Sequence, residues 1–116
     1  MIVDDQRLFA EALRAILTTD RRIDVVGIAA SGEEAFQLAN ELDPDIVLMD
    51  ISMPGVNGFE ATRRIIAEHP GVQVLMVTGS DARQDVDAAR TAGAAGYVTK
   101  DRIAAELIGT IFDVAA

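Results

Sequence analysis

The chain has no cysteine. That excludes a disulfide framework, a thiolate metal centre and a cysteine nucleophile, and it fits a reducing compartment. Aromatic residues are scarce, at 4% of 116 positions, although 50% of the residues are hydrophobic. A core must therefore be built from Val, Ile, Leu and Ala. No apolar run approaches the roughly 18–20 residues of a membrane span. No signal peptide is recognisable ahead of the first apolar segment, so a cytoplasmic location and no membrane partner are expected. Positive charge is in short supply: 10 Lys and Arg stand against 19 Asp and Glu, a net charge of −9. Such a balance repels nucleic acid and anionic membranes, so no direct nucleic-acid binding is expected of this chain. A Gly-x-x-x-x-Gly-Lys-Ser/Thr phosphate loop is also missing, which argues against a nucleotide-hydrolysing enzyme. Lysine occurs once, as Lys100, and histidine once, as His69.

What is present is an alternation of short apolar runs and amphipathic segments. The length fits one domain spanning residues 1–116. Its clearest strand is Ile46-Val47-Leu48-Met49, which stops on Asp50 and is followed by the turn residues Pro54-Gly55 and Asn57-Gly58. A short apolar run bounded by turn residues reads as a strand buried on both faces, typical of a parallel sheet covered by helices. Met1 to Val3 reads as the end of another strand. It is short against the usual 5–6 residues, so a truncated first strand is expected. Ile23 to Ala29, Val72 to Val77 and Ala95 to Thr99 complete five strands. Helices are predicted over Arg7 to Thr18, with Asp5 as a possible cap, and from Ser31-Gly32 to about Leu42. Three more are predicted over Phe59 to Glu68, Ala82 to Ala92 and Ile103 to Val114. The Ala82–Ala92 helix offers one large apolar residue, Val86, and is expected to be the least stable. A (βα) unit repeated five times implies a doubly wound parallel sheet with right-handed crossovers.

In such a sheet the carboxyl ends of the strands share one edge, where ligands bind. Strand one ends at Asp4-Asp5, strand three at Asp50, strand four at Thr78 and strand five at Lys100. Each residue alone has a bland reading: Asp4 and Asp5 as a helix cap, Asp50 as a turn residue, Thr78 as a strand residue, Lys100 as a surface charge. Together they form a carboxylate cluster, a hydroxyl and an ammonium. Two like charges some 4–6 Å apart repel by about 3–4 kcal/mol at an effective dielectric near 20, so the cluster implies a compensating cation. Oxygen ligands with room for water suit Mg²⁺. A carboxylate beside Mg²⁺ and an ammonium can attack a phosphoryl group and become an aspartyl phosphate. A lone Lys in an Arg-using chain points to a need for a compact charge. His69, before Pro70-Gly71, reads as capping or solvated, and Met49, Met53 and Met76 as core filling.

These residues resemble a known family. Val3-Asp4-Asp5, Met49-Asp50-Ile51-Ser52-Met53-Pro54-Gly55 with Asn57-Gly58, Val77-Thr78-Gly79 and Gly96-Tyr97-Val98-Thr99-Lys100-Asp101 are similar to the receiver domain of bacterial two-component response regulators. The resemblance covers nearly the whole chain. It implies a flavodoxin-like fold with strand order 2-1-3-4-5. It also implies that Asp50 accepts a phosphoryl group from a sensor histidine kinase. Asp5, Asp50 and the Ser52 carbonyl would bind Mg²⁺, and Asp4 would do so through water. Lys100 would pair with the phosphoryl group, Thr78 would move to bind it and Tyr97 would follow as the switch aromatic. Ser52 and Ser80 fall where relatives tune phosphate loss. The Gly-Tyr-Val-Thr-Lys-Asp segment is similar to NarL/FixJ-type (LuxR-type) transcription regulators, whose C-terminal helix-turn-helix effector domain is not in these residues. Dimerisation on phosphorylation is a further expectation. A stand-alone or phosphate-independent interaction module, a flavin binder and a turnover phosphatase or nucleotide-binding enzyme are the rival readings. Asp4-Asp5-Gln6 argues against the second, since acidic side chains repel a flavin phosphate.

Overall fold

The apolar runs pair side by side because each is flanked by a helix long enough to return the chain to the same end of the sheet. In the computed structural model, which describes residues 1–53 and 55–115, five strands form: β1 (Ile2–Val3), β2 (Ile28–Ala29), β3 (Ile46–Met49), β4 (Gln73–Thr78) and β5 (Gly96–Thr99). All neighbours are parallel, in the order β2-β1-β3-β4-β5. Between and after them run α1 (Arg7–Leu17), α2 (Gly32–Leu42), α3 (Gly58–Glu68), α4 (Arg83–Ala92) and α5 (Ile108–Ala115). A 3-10 turn at Lys100–Arg102 and a π-helical turn at Ile103–Leu107 lead into α5. The flavodoxin-like order expected from the resemblance is the order found. Pro54, part of the expected turn, lies outside the described residues.

Alternation along the strands sorts the core into two layers. Val3, Val47, Met49, Val74 and Met76 point to one side, against Ala35 and Ala39 of α2, Ala61 and Ile65 of α3 and Ala89 of α4. Ile2, Leu48, Leu75, Val77 and Val98 point to the other, against Ala10, Leu13 and Leu17 of α1 and Ile111 of α5. Each large side chain so buried contributes roughly 1.5–3 kcal/mol. Side-chain caps start two of the helices: Ser31 Oγ accepts from the Glu34 amide at 3.1 Å, and Asn57 Oδ1 from the Glu60 amide at 3.0 Å. Asp43 at φ 48° and Gly93 at φ 103° end α2 and α4 in the left-handed region.

Several local expectations change. The strand read over Ile23 to Ala29 shrinks to Ile28–Ala29, because a parallel strand needs a ladder partner. Its partner β1 pairs only Ile2 with Ile28 and Val3 with Ala29, and Val26 is left 42% exposed. Asp5 does not cap α1: Gln6 takes the N-cap position, and it is Asp4 Oδ1 that accepts the Gln6 amide at 2.8 Å. Ile16 and Leu42 fall at the helical spacing of core positions, yet are 38% and 37% exposed. His69 ends α3 half-buried, its Nε2 2.7 Å from Asn40 Oδ1, so it ties α3 to α2. Met49, Met53 and Met76 are core residues as expected.

Candidate active site

Sheet register builds the site. Val3 pairs with Met49, so the next residues, Asp4 and Asp50, leave neighbouring strands side by side. Met49 also pairs with Met76, and Thr78 pairs with Thr99, so Thr78 and Lys100 arrive at the same edge from β4 and β5. The chain turns outward on both sides of β1, toward β2 on one and β3 on the other, which is the switch point where α/β sheets bind ligands. A slot of about 320 Å³ lies at the opposite edge, lined by Met1, Leu17, Val25, Val26 and Phe112 among others. The Met1 nitrogen beside it donates to the Ile46 carbonyl at 2.9 Å.

Asp4, Asp50 and Thr78 are 3%, 4% and 2% exposed, while Asp5 stands in solvent. One carboxylate oxygen from each of Asp4, Asp5 and Asp50 lies within 4.8 Å of the others. Lys100 Nζ sits 2.9 Å from Asp4 Oδ2 and 3.8 Å from Asp50 Oδ2, so the ammonium leans toward Asp4. Burial first, and then the Asp4 charge, raise the Asp50 pKa above its ordinary value. Lys100, the Thr78 hydroxyl and the Ser52 backbone amide pull the other way. Asp50 is thus a carboxylate held at a cost, short of positive charge.

That shortage is the local case for a metal. Asp4 Oδ2 is sealed from solvent and accepts no hydrogen bond; its one close partner is the Lys100 ammonium, in an ion pair. Buried carboxylate oxygens with unused lone pairs are costly unless a cation or donor meets them. Three carboxylates converging on one point, one of them open to water, form an oxygen-only donor set suited to a hard divalent ion that keeps part of its hydration shell. The residues present therefore fit Mg²⁺.

Around this centre the other expected residues fall as follows. Ser52 is exposed on the loop after β3, with its backbone against Asp50. Tyr97, half-buried on β5, donates its hydroxyl to the Ser80 carbonyl at 2.7 Å, and burial raises its pKa. Ser80 Oγ donates to Asp85, on the first turn of α4. Tyr97 is therefore joined to the loop that follows Thr78 and, through Ser80, to α4. Three participants escaped the sequence reading. The Phe9 ring lies under the Lys100 ammonium, 4.1 Å from its centroid, and Gln6 Oε1 is 3.5 Å from the same nitrogen. Gly58 brings α3 against the end of β3: a Cβ there would meet the Asp50 carbonyl oxygen at 2.1 Å. Phe9 recurs with Leu13, Ile16 and Leu17 at helical spacing, which reads as core, and Asn57-Gly58 reads as a turn. Neither signal carries the long-range contact.

Comparison with known proteins bears on the family and the fold. The model for the response regulator receiver domain matches residues 1–112. The response regulator GacA of Pseudomonas viridiflava is 41% identical over 111 residues, covering 96% of this chain and 52% of that protein. The chain spans about half the length of the curated relatives it matches. Among solved structures, the NarL signal receiver domain of Mycobacterium tuberculosis superposes with a TM-score of 0.92 at 31% identity, covering 98% of this chain and 92% of that one. A CheX-CheY-BeF3-Mg+2 complex from Borrelia burgdorferi gives a TM-score of 0.91 at 27% identity, covering 99% of this chain and 87% of that one.

Proposed function

The chain belongs to the response regulator receiver domains of two-component systems, and on that premise we propose that Asp50 is its phosphoacceptor. The observation that carries this is the placement of Asp50: buried at the switch point, raised in pKa, with Asp4 and Asp5 within ligand distance and Lys100 3.8 Å away. A carboxylate oxygen of Asp50 forms the new O–P bond as the N–P bond of a histidine kinase phosphohistidine breaks. The donor imidazole keeps the bonding pair. Asp5, Asp50 and the Ser52 carbonyl would hold Mg²⁺ directly, and Asp4 through water; when bound, it would supply positive charge beside the transferring oxygens. Lys100 pairs with the phosphoryl group and Thr78 hydrogen-bonds it.

The phosphoryl group carries about −1.5 to −2 charges, by analogy with other phosphorylated side chains, in place of the single charge of the free carboxylate. Thr78 moves toward it, and Tyr97, now tied to the Ser80 carbonyl, follows. The Ser80–Asp85 contact passes the change to α4. A full swing from 1:99 to 99:1 requires about 5.5 kcal/mol of bias. Charge-assisted bonds at the site supply part of it, and homodimer formation supplies more. The output is transcriptional, through a DNA-binding region not in these 116 residues, in a cytoplasmic protein. Among the described residues no helix is long and apolar enough to cross a membrane. The domain is a switch, not a turnover enzyme: it gains its phosphoryl group once per cycle and loses it slowly, at a rate set in part by Ser52 and Ser80.

The test is intact mass after incubation with a small-molecule phosphodonor, with and without Mg²⁺, on this chain and on Asp50→Asn. One added phosphoryl group that requires both Mg²⁺ and Asp50 is expected. No gain in the folded wild-type chain would leave a phosphate-independent interaction module as the better reading.

A further inference from the structure

Lys100 is held from three directions. Asp4 Oδ2 is 2.9 Å from its nitrogen and Asp50 Oδ2 3.8 Å, while the Phe9 ring centroid lies 4.1 Å away on another side. Two of these partners are carboxylates within ligand distance of the same point. Whatever divalent ion those carboxylates bind, Asp4 cannot neutralise it and the ammonium equally well. Released from Asp4, a flexible four-carbon side chain that is already 21% exposed would swing into water. The Phe9 face is different in kind. It attracts the ammonium through its ring quadrupole, and a hydrated divalent ion does not compete for it, since it binds oxygen. Phe9 is on the first turn of α1, packed half-buried against the same core layer as Val98 of β5, so its ring does not follow the carboxylates.

We propose that Phe9 is a positioning residue for the phosphoryl acceptance assigned above: its ring keeps the Lys100 ammonium at the mouth of the site when Asp4 is engaged by the metal. The inference rests on that assignment for its catalytic consequence, but not for its structural part. Lys100 in this role moves from a resting pair with Asp4 toward the group on Asp50 without leaving the ring. Gln6, whose Oε1 is 3.5 Å from the nitrogen, borders the same path.

Lys100 being the only lysine, the chain labelled with ¹³C-lysine gives one ε-methylene signal, and a ring beneath it shifts that signal upfield. In the wild type the signal should stay upfield as Mg²⁺ is titrated to saturation. Its return to the position found in Phe9→Leu would overturn the proposal, and this arm stands even if that variant folds poorly, with free lysine as the reference. In the second arm, initial rates of phosphoryl gain from a small phosphodonor are compared. Phe9→Leu should be slower by about three- to tenfold, within the range of a partly desolvated cation–π contact, and Phe9→Trp should recover most of the loss. Equal rates in wild type and Phe9→Leu, or equal losses in Leu and Trp, would overturn it. A wild-type chain that takes no phosphoryl group, with its lysine signal still upfield in Mg²⁺, refutes the phosphoacceptor assignment and leaves the Phe9–Lys100 contact standing.

Discussion

Asp50 carries opposing demands. Burial and the neighbouring Asp4 favour its neutral form, while Lys100 and the Thr78 hydroxyl favour its charged form, and the net displacement is upward. Between the ordinary carboxylate pKa and the raised one, the folded chain keeps a proton that the unfolded chain has released. The contribution of Asp50 to stability therefore falls as pH rises through that window. Above it the fold carries the full cost of the buried charge. Asp50→Asn removes the cost, so at pH 7 it should raise the melting midpoint of the metal-free chain. The gain should vanish at pH values below the ordinary carboxylate pKa. Melting curves from pH 3.5 to 7.5 on both chains check this, and an unchanged or lower midpoint for the variant at pH 7 counts against it. The same carboxylates should make Mg²⁺ a stabilising ligand of the wild type, by about 2.7 kcal/mol at a hundredfold excess over its dissociation constant, and much less of one for Asp50→Asn. The identity of these residues was legible in the sequence, because each ends an apolar run. Their mutual distances were not, and neither was the preference of Lys100 for Asp4 over Asp50, since register and side-chain reach settle both.

Elements differ in how firmly they are held. The start of α3 is rigidly placed: the Gly58 amide donates to the Ile51 carbonyl at 3.1 Å, and no side chain fits between Gly58 and the Asp50 carbonyl. Gly58→Ala should destabilise by about 1–3 kcal/mol through overpacking and slow phosphoryl acceptance by displacing Asp50. Gly71→Ala, with nothing within 4 Å of the added carbon, is the control and should lie near neutral. Urea unfolding of the two variants separates these outcomes. At the other extreme, α4 buries only Ala89 and Ala92 and begins at Ala82 without a side-chain cap. Its amides should exchange with deuterium faster than those of the central turns of α1, α2 and α3, which native-state exchange measures directly. The weakness of α4 was readable from its composition. The shortness of β2 was not, because Ile23 to Ala29 is apolar enough to be a strand and simply lacks a partner along most of its length.

At the scale of the whole molecule, the architecture gathers Asp4, Asp5, Asp50 and Lys100 at one edge. The opposite edge holds the Met1 nitrogen and a slot lined by apolar and charged side chains alike. Between them lie the two layers of packed core side chains. Phosphoryl gain at Asp50 should therefore be felt first in the elements that touch the site edge, α4 and β5, and least at the C-terminal end of α1. Deuterium exchange on the phosphorylated and unphosphorylated chain tests that gradient. A uniform change across all five helices would speak for global tightening instead of a local switch.

Sequence by itself determined the fold class and the chemical cast. Periodicity of two and of 3.6 residues is written locally, and so are the carboxylate, hydroxyl and lysine that close the apolar runs. Tertiary structure alone decided what required distant segments to meet. It set the length of β2 by its ladder to β1, turned Asp4 rather than Asp5 toward the α1 terminus, and gave His69 a partner in Asn40. It also laid Phe9 under Lys100 from the other end of the chain. Pairing, register and packing are properties of two segments at once, and no pattern within either one encodes them.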